Sequence, residues 1–227
     1  MGELFDAYES ALRDKKRRGF IAISGAGKAG GGYYEAVKIS GAGRIEGDVD
    51  ALKVNVAGSA SFHGSLAARE AKFAGATKVY GFLKSGRVQS AGTLKVEGCI
   101  EADEIELAGA LSAGCLKFKK ANIQGALKIV GGITGSNLTL KLSDDSRVGD
   151  ILVDILEVRR GKDYDVVRRV KALFNKGLPV LEASKIEAGE AIFKDVIVKS
   201  PVRARRIILR GKAEVVGEAH GEVLKEK

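Results

Sequence analysis

Six residues near the N-terminus carry the most recognisable chemical pattern in the chain. Gly25-Ala26-Gly27-Lys28-Ala29-Gly30 matches G-x-G-x-x-G, the turn that seats a dinucleotide pyrophosphate on a helix N-terminus. Phe20-Ile21-Ala22-Ile23 ahead of it has strand character, and Asp48 follows at about the distance of a ribose-binding acid. The context fails. Gly31, Gly32, Tyr33 and Tyr34 follow where a helix is needed, and a repeat starts at Val37, leaving no room for a βαβ unit. No Gly-Lys-Ser/Thr closes a phosphate loop either. His63 and His220 are the only histidines, whereas a zinc site takes three or four ligands. Cys99 and Cys115, sixteen apart, read as neighbours on successive turns of the repeat and as buried, inert thiols. Acids cluster at Glu46, Asp48 and Asp50 and again at Glu101, Asp103, Glu104 and Glu106. The lane through Asp48 continues as Ser65, Phe82 and Cys99, so the acids do not stack, and a general acid–base pair needs convergent groups. The expectation is a protein that is not an enzyme, with no catalytic residue, cofactor or metal.

What must position all of these residues is a repeat. Gly41, Gly58, Gly75, Gly92 and Gly109 are each seventeen apart, and Ala126 and Ser143 extend the lane. A second lane runs Gly47, Gly64, Gly81, Gly98, Cys115, Gly132, Gly149. Apolar lanes keep the same phase: Ile45, Phe62, Val79, Val96, Ala113, Val130, and Val49, Leu66, Leu83, Ile100. Leu116 and Ile133 fall one residue early in the latter, which predicts a one-residue slip. A third lane, Ile39, Val56, Phe73, is broken by Ser90. Short runs such as Leu94-Lys95-Val96-Glu97 alternate apolar and polar, the period of a strand. A fixed period of this length predicts a β-solenoid, each rung rising one strand spacing of about 4.8 Å.

The lanes divide the chain. Residues 1–36 form a tail in which Glu3–Arg18 reads as a short amphipathic helix. Residues 37–158 form the rungs. Residues 159–179 form a basic helical excursion, with acids at its start, cations toward its end, and Gly177 and Pro179 closing it. Residues 180–227 resume the rungs, since Ile186 and Arg203, Ile192 and Leu209, and Val198 and Val215 are again seventeen apart. The N-terminal helix has two readings: a cap on the first rung, or a membrane-surface contact through Leu4, Phe5 and Leu12.

Hydrophobic residues make up 45% of the 227, enough for a core, and no unbroken apolar run reaches the length of a membrane span. Nothing resembles a secretory leader, so the expected location is cytoplasmic. The net charge of +9 is carried by residues 159–212, with fifteen Lys/Arg against six Asp/Glu. Arg159, Arg160, Arg168, Arg169, Arg203, Arg205, Arg206 and Arg210 form the expected patch for acidic partners.

Ser24-Gly25-Ala26-Gly27, Gly30-Gly31-Gly32-Tyr33-Tyr34, Ser40-Gly41-Ala42-Gly43-Arg44-Ile45-Glu46-Gly47-Asp48-Val49 and Val54-Asn55-Val56-Ala57-Gly58 together resemble the bactofilins, or polymer-forming cytoskeletal proteins. The resemblance covers roughly residues 21–155, and Leu181–Gly189 is similar to a longer branch of the family. It implies a right-handed parallel β-helix that assembles head-to-tail into non-polar filaments without nucleotide. It also implies attachment to the inner membrane face through an N-terminal tail, and a scaffold role toward other proteins. No catalytic residue carries over. The chain departs from the pattern in its excursion and its longer, more charged tail.

Taken together, the expected fold is all-β: a right-handed parallel β-helix with 17-residue rungs, a short N-terminal helix and one helical excursion. A solenoid end is an unpaired strand edge, and edges recruit strands. The expected polymer interface is Val37, Ile39, Ile45 and Val49 at one end and Val215, Val216, Val223 and Leu224 at the other, the partner being the chain itself. The alternative is a basic solenoid, monomeric or a small oligomer, that binds nucleic acid or acidic partners.

Overall fold

The computed structural model describes residues 18–161 and 177–226. Twelve strands follow in order: β1 (Arg18–Phe62), β2 (Leu66–Val79), β3 (Leu83–Val96), β4 (Cys99–Ala113), β5 (Cys115–Ile129), β6 (Ile133–Leu142), β7 (Ser146–Arg160), β8 (Val180–Lys194), β9 (Ile197–Lys199), β10 (Val202–Arg210), β11 (Glu214–Val216) and β12 (Ala219–Glu226). Pairing is parallel throughout, in chain order from β1 to β8, then β10 and β12. The chain is a right-handed solenoid.

The lanes of the sequence become ladders. Val49 pairs with Leu66, then Leu83, Ile100, Leu116, Ile133, Ile151, Ile186 and Val202. The expected slip is present. Cys99 pairs with Cys115, which makes that rung sixteen residues, and Ile133 pairs with Ile151, an eighteen-residue rung that restores the phase. Across the excursion Ile151 pairs with Ile186. The chain therefore leaves the stack after β7 and returns on the next rung, as expected for residues 180 onward.

Apolar residues on these ladders fill the axis, and Phe62, Phe73, Phe193, Ile45 and Leu94 are among the largest fully buried side chains. Each rung must place bulk against space within itself. A Cβ on Gly43 would stand 2.7 Å from the Ile39 side chain, and one on Gly27 would stand 2.9 Å from that of Ile23. Residues four apart across this corner therefore share one volume. Along the stack the later position grows from Gly43 to Ala60, Thr77 and Leu94 while the earlier runs Ile39, Val56, Phe73, Ser90. This trade does not by itself set Ser90, since on the next rung Leu107 and Leu111 are both large and buried. Replacing Phe62, 0% exposed between Ile45 and Val79, by Ala is expected to cost about 3–5 kcal/mol in urea unfolding.

The structure corrects the fold expectation in three places. No helix occurs among the described residues. Arg18, placed at the end of an N-terminal helix, opens β1, and Gly177–Pro179 is irregular. Arg159 and Arg160, assigned to the excursion, belong to β7 and pair with Lys141 and Leu142 of β6. The rest of both expected helices, residues 3–17 and 162–176, lies outside the described residues. The glycine-rich stretch 25–32, placed in the tail, is strand within β1, so the rungs begin well before Val37.

Candidate functional site

The G-x-G-x-x-G residues belong to the solenoid corners. Gly25 has φ +86° and heads the ladder continued by Gly41, Gly58, Gly75, Gly92, Gly109 and Gly125, all at positive φ. From Gly41 onward a Cβ in this ladder would strike the carbonyl oxygen of the glycine one rung before. The column therefore needs glycine for two reasons, conformation and space. Asp48, the expected ribose partner, accepts a 2.7 Å hydrogen bond from the Ser65 backbone N–H and so ties two rungs together.

His63 stacks on Tyr80 with ring centroids 4.4 Å apart, and the Lys78 ammonium lies 3.6 Å from the same ring. Lys78 also pairs with Glu97 at 3.0 Å. The hydrogen bond to Tyr80 and then the one to Glu97 hold the Lys78 pKa above its ordinary value. His220 sits 3.3 Å from Glu218, in a pair fully formed only when the ring is protonated. Among the described residues no group of three or more His, Cys, Asp or Glu is placed to hold a metal ion.

The cysteines require a correction. Cys99 and Cys115 are not inert buried thiols. They are half-buried partners in a disulfide that staples β4 to β5 at the shortened rung. Closing a loop of this length stabilises by about 3 kcal/mol on the chain-entropy account. Reduction is expected to lower unfolding stability by about that amount, measured in denaturant with and without reductant; an unchanged midpoint would show the pair to be thiols. Structural disulfides persist in oxidising compartments. No helix among the described residues is long and apolar enough to cross a membrane.

The expected polymer interface divides. Val37, Ile39, Ile45 and Val49 are 0–2% exposed, because the opening stretch of β1 covers them. They are interior, and the first rung instead puts Ile23 in the core with Ile21 packed against it, while Phe20 is 73% exposed. At the other end the expected residues do lie on the terminal face. Val216, Val223 and Leu224 are 50%, 44% and 37% exposed, and Val215 is half-buried. Val223 continues the inward ladder of Ile207, and Val215 that of Val198. Both point toward the axis and are open only at its end, because no further described rung covers them. Leu4, Phe5 and Leu12 lie outside the described residues.

The arginine patch also divides. Arg168 and Arg169 lie outside the described residues. The pairing of β10 with β12 shifts register between Arg203 and Arg206, and Arg160 continues the glycine ladder from Gly125 through Leu142. Arg159 and Arg210 share one outward column with Lys141 and Lys194. Arg206 and Arg210 pair with Glu222 at 3.8 Å and Glu226 at 2.7 Å. In the N-terminal half one column alternates in sign instead. Lys53, Glu70, Arg87, Glu104 and Lys120 stack in register, with Arg87 and Glu104 hydrogen-bonded at 2.8 Å.

Sequence reasoning missed a groove. It follows the ladder Ile39, Val56, Phe73, Ser90, Leu107 along the stack, with a volume of about 540 Å³. One wall carries Lys38, Asn55, Lys72, Gln89, Glu106 and Asn122, and the other begins with Ala57, Ala74, Ala91 and Ala108. Its only trace in the sequence is the placing of the carboxamides, taken up below.

No family model matches the chain, and no curated protein or solved structure matches it. The right-handed parallel solenoid with rungs of about 17 residues matches the fold type of the bactofilins.

Proposed function

We propose that this protein is a structural scaffold that polymerises end to end without nucleotide. The observation that supports it is the bare terminal rung. All eight residues of β12 are exposed, and among the described strands β12 pairs only with β10. Its free edge offers backbone N–H and C=O groups beside the apolar Val223 and Leu224. The first rung, with Phe20 exposed, offers a complementary edge of the same parallel lattice. A contact that does not close on itself gives a filament. A strictly head-to-tail stack has direction, whereas a non-polar filament needs like ends to meet; the head-to-tail, non-polar description implied by the resemblance therefore resolves to one or the other.

The regular ladder of side chains along the polymer would present repeating sites to other proteins, which is the scaffold role. Sedimentation of the purified chain at rising concentration, with no nucleotide, tests the reading. Mass that grows without a limiting size is expected. A fixed monomer or small oligomer at every concentration would favour the alternative, a basic module for nucleic acid or acidic partners.

A further inference from the structure

We propose that the groove and the cation column above it form one binding track for a linear acidic polysaccharide, lying along the solenoid axis with one sugar per rung. Four observations carry this independently of polymerisation.

The groove spans seven rungs, from Lys38 to Lys141, roughly 29 Å at about 4.8 Å per rung, and its volume of about 540 Å³ is that of a ligand site. Its lining is chemically selected. The chain has only four asparagines and two glutamines, and Asn55, Gln89, Asn122 and Gln124 all line this groove. A carboxamide offers both donors and an acceptor, the combination that vicinal hydroxyls require; Gln89 donates one of its hydrogens to Glu106 at 2.7 Å, which leaves its oxygen and second hydrogen for a ligand. The facing ladder of Ala57, Ala74, Ala91 and Ala108 is exposed, a row of methyl groups for the C–H faces of sugar rings.

The charge on the same column then turns positive. Gln124 stacks on Lys141, and Lys141, Arg159, Lys194 and Arg210 follow on four successive rungs in strict register. Like charges directly opposite destabilise a sheet, and the column from Lys53 to Lys120 alternates them. Arg159 lies 3.6 Å from Glu157 and Arg210 pairs with Glu226. Among the described residues Lys141 and Lys194 have no ion pair or hydrogen bond. A row of carboxylates would complement the column.

Spacing selects the polymer. Rungs about 4.8 Å apart are close to the rise of one pyranose in an extended glycan, and a β-1,4-linked uronate, whose successive sugars face opposite sides, turns a carboxylate toward the column at every second rung. An extended peptide repeats its faces at roughly 6.8 Å and falls out of step within a few rungs. Single-stranded nucleic acid binds on aromatic platforms, and Phe73, the aromatic in this groove, is 2% exposed.

The test is a calorimetric titration of the full chain with a β-1,4-linked uronic acid octamer. Neutral cello-oligosaccharide, octaglutamate and oligo(dT) serve as comparisons. The uronate should bind tightest. Gln89→Ala with Gln124→Ala should weaken it about tenfold, the loss of two net hydrogen bonds. Lys141→Glu with Lys194→Glu should weaken it at least as much, with circular dichroism unchanged in both variants. Equal affinity for octaglutamate or oligo(dT), indifference to the carboxamide variant, or no binding of the uronate would overturn the proposal. Both variants should still polymerise, so the outcome is separable from the scaffold reading.

Discussion

A Val223→Glu, Leu224→Glu variant is expected to be folded and monomeric where the parent chain forms filaments. Both residues lie in β12, at 44% and 37% exposure, so neither substitution buries a charge in the monomer. In an end-to-end contact both would be covered, and an unpaired buried carboxylate costs several kcal/mol after relaxation. At roughly 1.4 kcal/mol per tenfold, two such groups per contact would lower the association constant by several orders of magnitude. The design matters, because Ile39→Glu, an obvious choice from the sequence, would act differently. Ile39 is 1% exposed, and a charge there would unfold rungs instead of blunting an end. Sedimentation together with thermal unfolding reads both properties. Filaments that persist in the double variant would place the contact elsewhere. Monomers with a collapsed melting temperature would show that the last rung belongs to the folding core.

Gly92→Ala should destabilise the solenoid by about 3 kcal/mol or more, the upper end of the strain stored by a non-glycine backbone in this region. Gly92 has φ +131°, and a Cβ there would strike the Gly75 carbonyl oxygen. The clash is with backbone, so no rotamer relieves it. Gly30→Ala is the matched control. Nothing lies within 4 Å of a Cβ at Gly30, and its φ is outside the left-handed region. That substitution should be close to neutral in denaturant unfolding. Equal effects at the two positions would mean that the corner geometry is not what selects glycine.

The ladder was legible because a stacked fold is a translation: equivalent residues recur at a fixed spacing, and Val49, Leu66, Leu83 and Ile100 announce the core directly. The slip at Leu116 was legible for the same reason, since the core residue had to stay on its ladder. The first rung was not. Its inward positions include Gly27 and Ala29, which imitate a flexible lead-in, yet Gly27 is small because Ile23 occupies the space its side chain would fill. Counting Val37 as the first rung then assigned four core residues to an exposed end. Arg159 and Arg160 looked like the start of a basic helix because charge carries no period; their pairing with Lys141 and Leu142 shows the strand. The groove was invisible because spacing reveals which residues stack, not whether the sheet they form is concave. The disulfide was half legible: the sixteen-residue spacing set the cysteines side by side, but side-by-side thiols and a bridge share one sequence.

Negative-stain electron microscopy of the purified chain at low and high salt, with no nucleotide, tests the central claim most directly. Thin straight filaments should appear in both conditions. The ladder from Ile23 through Ile39 to Leu209 and Lys225 sets the axial subunit repeat, eleven to twelve strand spacings or roughly 55 Å. Separate particles of uniform size in both conditions would contradict end-to-end assembly and leave a solenoid whose open rung is closed by another partner.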